Sequence, residues 1–263
     1  MPIARGELHG SCRATTDQGG PFFAEDDGGS PSKPVSSNAS AAPGNFRCAG
    51  RDAVDNVSVS DPMVSFVRTA AERHAREERA RQMAGAVVRT VRYVDIDYFR
   101  HEVAAEYEGP RRIVDEAEWA RPTWRCDGFD SIDYGVELEC ADGRVFSVTW
   151  QSPSWTEGLV FWEQPLLGNA VRPEADVAVW DVTARSGWAD FAGRSVLDVQ
   201  VHYEPDDDGF WCRWATLRYD RGDVNLFLGE SHRSGSELQP SADNVAVVFP
   251  SSPLPAWLTV DGT

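Results

Sequence analysis

From Val87 the apolar positions fall on a period of two. Over 90–98, Val91, Tyr93, Asp95 and Asp97 point one way and Arg92, Val94, Ile96 and Tyr98 the other, which predicts a β-strand. Residues 134–140 and 144–150 flank Ala141-Asp142-Gly143, and Asp-Gly between two apolar-rich runs signals a hairpin. Val136, Leu138 and Cys140 share one face of its first strand, and Phe146, Val148 and Trp150 one face of its second. Further strands are expected at 158–163, 177–183, 195–204, 210–219, 224–229 and 244–249, joined by links rich in Pro, Gly and Asp. Residues 186–192 suit one or two helical turns, and no fixed-period repeat is present. The pattern predicts an α+β, mainly β fold: an antiparallel sandwich or barrel of about seven to nine short strands. It spans 86–258 as one domain, with 259–263 as a C-terminal tail.

The period changes upstream. Residues 63–84 are rich in helix formers, with Asp61 as N-cap, Pro62 at the first helical position and Gly85 as the stop. Glu72–Arg76 and Glu77–Arg81 are spaced as acid-to-base pairs four apart. The apolar face is thin (Val64, Phe66, Val67, Ala70, Ala71), so 61–85 reads as an exposed helix. Residues 1–62 hold 8 Gly, 6 Pro and 8 Ser, and only 9 of the 62 are Leu, Ile, Val or Phe, too few for a packed core. A disordered low-complexity tail over 1–60 is expected. Two other readings stay open: a partner-binding tail around Phe22–Asp27, and a true start at Met63 or Met83.

Charge narrows the partners. With 25 Lys+Arg against 42 Asp+Glu the formal charge is -17, so a phosphate backbone and an anionic membrane surface are both disfavoured. No apolar run is long enough for a membrane-spanning helix. The five cysteines are odd in number, widely spaced and without a Cys-x-x-Cys pair, and the first residues lack a secretory apolar core. Both favour the cytoplasm. A basic protein or a small-molecule ligand remains as partner. The sequence carries no phosphate loop, dinucleotide fingerprint or Gly-x-Ser-x-Gly elbow, and no cofactor is expected.

Chemistry then rests on a few places. All ten Trp lie at or after Trp119, and Trp can fill a core, stack on a sugar or cage a cation. Trp155, Trp162, Trp211 and Trp214 are the candidate ligand-binding residues. Trp211 and Trp214, three apart in one strand, are expected on opposite faces. In strand 195–204, Asp198, Gln200, His202 and Glu204 share a parity, so a His and two carboxylates line one face, fit for acid–base work or for plain solvation. His202 is expected on a solvated face. Glu157 and Glu163, among Trp residues, are a candidate glycosidase pair. Asp127, Asp130 and Asp133, at spacing three, would approach a hard cation if their loop curled, but lack a full ligand set. The functional expectation is a non-catalytic acidic module that docks on or neutralises a basic protein. The alternative is a Trp-lined small-molecule or glycan binder, with a hydrolase on His202 and a carboxylate as its enzymatic form.

Overall fold

The computed structural model describes residues 65–104, 106–152, 157–231 and 237–259. Its first elements are the two-residue strand β1 (Phe66–Val67) and helix α1 (Ala70–Arg81). Strand β2 (Val88–Ile96), the one-turn helix α2 (Arg100–Val103), β3 (Arg111–Arg112), α3 (Glu116–Trp119) and β4 (Asp130–Ile132) follow. Next come β5 (Gly135–Cys140), β6 (Val145–Gln151), β7 (Gly158–Trp162) and β8 (Val177–Asp181), then a 3-10 turn at Gly187–Asp190. Four long strands, β9 (Asp198–Asp206), β10 (Gly209–Tyr219), β11 (Gly222–Ser231) and β12 (Leu238–Val248), precede the short helix α4 (Ala256–Thr259).

The strands form two six-stranded sheets. In the first, β10 is bordered by β9 on one edge and by β1 and β11 on the other, and the order continues through β12 to β4. The second runs β3-β8-β2-β5-β6-β7, antiparallel except where β3 meets β8. The inner faces share one core: Val91, Tyr93, Leu138 and Phe146 from the second sheet, Val199, Ala215, Leu226 and Val247 from the first. The expected mainly β sandwich is therefore the fold. The hairpin faces are as the alternation predicts, with Val136 opposite Val148 and Leu138 opposite Phe146. Gly135 sits at φ +147, where a Cβ would meet the Val148 carbonyl at 2.2 Å, so only glycine starts this strand. The nine predicted strands correspond to β2 and β5 to β12. The expected number was short by β1, β3 and β4, whose two or three residues are too few to display a period.

The helix needs correction at its start. It begins at Ala70, because Phe66 and Val67 pair with β10 and the Cys212 amide donates to the Ser65 carbonyl. Thr69 caps it: its hydroxyl accepts from the Glu72 amide, and the Glu72 carboxylate accepts from the Thr69 amide. Glu72 thus serves the cap, while Glu77 meets Arg81 at 3.7 Å as its spacing predicted. Ala80 is the one buried residue of α1, and Glu72, Arg73, Arg76, Glu77 and Arg79 are partly buried. Asp61, Pro62 and the whole of 1–60 lie outside the described residues.

Polar and aromatic side chains fix the end of the core beneath α3. Trp119, Trp124 and Trp180 lie mutually edge to face, with ring centroids 5.0–6.2 Å apart. The indole N–H groups of Trp124 and Trp180 are buried without a hydrogen-bond partner among the described residues. Beside them Arg111 spans two buried acids: it donates to both carboxylate oxygens of Asp97 at 2.7 and 2.8 Å and to both of Glu118 at 2.7 and 2.9 Å. Among the described residues no helix is long and apolar enough to cross a membrane.

Candidate functional site

The first sheet forks, and the fork makes a cleft. β11 pairs with β10 only from Trp214–Phe227 to Tyr219–Gly222. Ahead of that, β1 takes the place beside β10, while β11 runs on to Ser231 against β12. β12 leaves the ladder between Pro240 and Val245, which pair with the adjacent residues Gly229 and Leu228. The space between the branches is a cleft of about 380 Å³. Trp211 and Arg213 line it from β10, Leu228 from β11, and Pro240, Ser241 and Ala242 from β12. Trp257 comes from α4 and Glu157 from the approach to β7. Gly158 allows that approach, because a Cβ there would stand 2.7 Å from the Ser65 side chain.

A second irregularity aims the side chains. Cys212 faces Tyr203 and Trp214 faces His202, so Arg213 is an extra residue in β10. Trp211 opposes Glu204, and Glu204 shares the parity of His202. Trp211 and Trp214 therefore lie on the same, outer face of the sheet, against the expectation of opposite faces. The bulge cancels the odd spacing. Arg213 is held by the Glu204 carboxylate and the Trp257 carbonyl, with its guanidinium 6.0 Å from the Trp257 ring centroid. Trp257 in turn stands edge-on to Phe227 and donates to the Leu238 carbonyl at 3.3 Å.

The other predicted residues scatter. Trp162 is buried on the face of β7 turned away from the inter-sheet core, opposite Ser147, while Leu159 and Phe161 face the core; it is not among the residues that line the cleft. Trp155 lies outside the described residues. Glu157 precedes the five-residue β7 and Glu163 follows it, so about 20 Å of extended chain separates them, beyond the reach of a carboxylate pair. Asp198, His202 and Glu204 share a face as predicted, but each has its own partner. Asp198 accepts from Gln200 at 2.9 Å, and Glu204 takes Arg213. His202 is half-buried, between the solvated and the deeply buried alternatives, and its ring stacks on Trp214 at 4.2 Å. Burial lowers its pKa to about 4, so the ring is neutral near pH 7. Thr216 gives its proton to Asn225, so His202 Nε2 donates to Thr216 Oγ1 and cannot act on that hydroxyl as a base.

Asp127, Asp130 and Asp133 also part company. Asp127 is exposed. Asp130 is buried and accepts from Tyr93 Oη at 2.7 Å, itself bonded by Trp188 Nε1, and burial pushes its pKa to about 6. Asp133 belongs to a pair the sequence reading missed. Its backbone amide donates to Asp95, and the two carboxyl groups lie within hydrogen-bonding reach. Tyr98 and Asn244 both donate to Asp133, each at 2.9 Å. Asp95 is buried, and burial followed by the Asp133 charge holds its pKa well above the ordinary range, opposed by the Thr123 hydroxyl and the Asp133 amide that donate to it. Among the described residues no three side chains gather as a metal site. The period of two had placed Asp95 on one face with Val91 and Tyr93; which face is buried, and the distant partner, were the hidden parts. No protein-family model, curated protein or solved structure matches this chain.

Proposed function

We propose that this chain is a binding module without catalytic chemistry, and that it takes a small ligand in the cleft between Trp211 and Trp257. The observation that carries this reading is the joining of two half-buried indoles and Leu228 with one acid and one base in a single cleft. Such a lining, apolar with few polar groups, is what ligand sites use. The separate partners of Asp198, His202 and Glu204 and the distance between Glu157 and Glu163 speak against the hydrolase alternative. Calorimetric titration with a metabolite and glycan panel tests the reading. Binding that Trp257→Ala abolishes supports it, and a panel that gives no Trp257-dependent heat counts against it. A second reading, docking of a basic protein, rests on the 23 acidic and 10 basic residues between Trp119 and Thr263. Its expected mark is co-elution with a defined basic protein at low salt and separation at high salt.

A further inference from the structure

We infer that the Trp211–Trp257 cleft selects a neutral polyhydroxylated ring, a mono- or disaccharide, over ions of either sign and over flat apolar molecules. This rests on the binding reading above and adds the ligand's class. The argument begins with charge. Arg213 and Glu157 both line the cleft, so a ligand of either net charge meets a like charge there. Arg213 is already compensated, one guanidinium arm on Glu204 and another on the Trp257 carbonyl. An anion entering beside it would also face the Glu204 and Glu157 carboxylates and would lose its hydration for no free countercharge. A cation would be drawn to Glu157 but held off by Arg213.

Polarity removes the opposite class. A flat hydrocarbon filling the space would strip water from Arg213, Glu157 and the Ser241 hydroxyl and offer them nothing in return. A sugar ring has the needed mixture. Its C–H face covers an indole, while its hydroxyls both donate, to the Glu157 carboxylate and to the Ser241 oxygen, whose own hydrogen goes to Asp243, and accept from Arg213. An uncharged group with both capacities meets the acid, the base and the hydroxyl of the lining without setting a like charge beside either ion. The volume, about 380 Å³, lies near the lower end of ordinary ligand sites and suits a short saccharide.

The test uses the full chain and four probe sets by calorimetry: neutral disaccharides (maltose, cellobiose, chitobiose), glucuronate as anion, choline as cation, and indole as flat apolar probe. A neutral disaccharide is expected to bind, with an affinity unchanged between low and high salt. Trp211→Ala and Trp257→Ala should each weaken it about ten-fold or more, and Trp257→Phe less. Glu157→Gln, a change at a half-buried rim residue that should leave folding intact, should weaken it only a few-fold and let glucuronate in. Near-ultraviolet dichroism of each variant separates lost binding from lost folding. If choline, glucuronate or indole binds with Trp257 dependence and no neutral sugar does, the sugar assignment is overturned and the binding reading stands. If no probe of any class binds with Trp257 dependence, both fall.

Discussion

Burial and the nearby Asp133 charge make the folded chain hold a proton on Asp95 more tightly than the unfolded chain does. This raised pKa means the native state binds more protons than the unfolded state once the pH exceeds the ordinary aspartate value. Stability from this group is therefore full below that value and is lost as pH rises towards the native pKa, by up to about 1.4 kcal/mol per pH unit. Asp95→Asn keeps the shape and an oxygen to accept from the Asp133 amide, and does not ionise. The variant should match the wild type near pH 4 and exceed it in stability at pH 7, which urea unfolding at the two pH values checks. His202 runs the other way. Its pKa is lowered to about 4, so its contribution is full above the ordinary histidine value and is lost as pH falls through the window down to 4. That Tyr93, Asp95 and Asp97 share a face was legible, because side-chain direction in a strand depends only on parity, but parity alone does not say which face is buried. The setting of the buried acid was not legible, because its partner Asp133 is 38 residues on.

Elements meet through ties that no local pattern records. Arg111 joins β3 to α3 and to the end of β2 by bonding both Asp97 and Glu118. Removing it strands two buried carboxylates, so Arg111→Ala should cost about 3–5 kcal/mol. Arg111→Lys should recover only part of this, because an ammonium cannot serve two carboxylates side by side. Chemical denaturation of the two variants measures both figures. Strands and the hairpin were readable because their faces repeat over five residues or more. The one confident statement about Trp211 and Trp214 failed because Arg213 adds a residue to β10, and parity holds only while the ladder is regular. The capping box at Thr69 and Glu72 was present in the sequence too, but Asp61-Pro62 offered a competing start eight residues earlier.

For the whole molecule, the consequential piece is the short β1. It completes the edge of β10 where β11 departs, and Ser65 ties it to the second sheet through the Gln151 carbonyl at 3.0 Å. A chain begun at Met63 retains this strand and α1; one begun at Met83 loses both. The shorter chain should melt at a lower temperature and self-associate, since an open sheet edge templates pairing with another copy. Thermal melts and size-exclusion chromatography of the two compare directly. The cleft was half legible at this scale. Trp211 and Glu157 stood out as an aromatic in a strand and an acid near indoles. Trp257 did not, because its place depends on how α4 folds back over Phe227, a tertiary fact with no local sign.

The interlocked indoles have an optical consequence. Trp119, Trp124 and Trp180 hold their transition dipoles at steep angles and short range, so their excited states couple, and the native fold should give strong, structured near-ultraviolet dichroism. Shielded from water, these rings emit at the blue side of the indole band. Trp211 and Trp257, half-exposed, emit to the red, within reach of an iodide quencher. The protein thus carries two separable reporters. The blue, unquenchable part follows the core. The red, quenchable part gathers Trp211 and Trp257 with the other partly exposed indoles among the described residues, Trp150 and Trp214. Its share lost in Trp211→Ala and Trp257→Ala is the share that reports on the fork of the sheet.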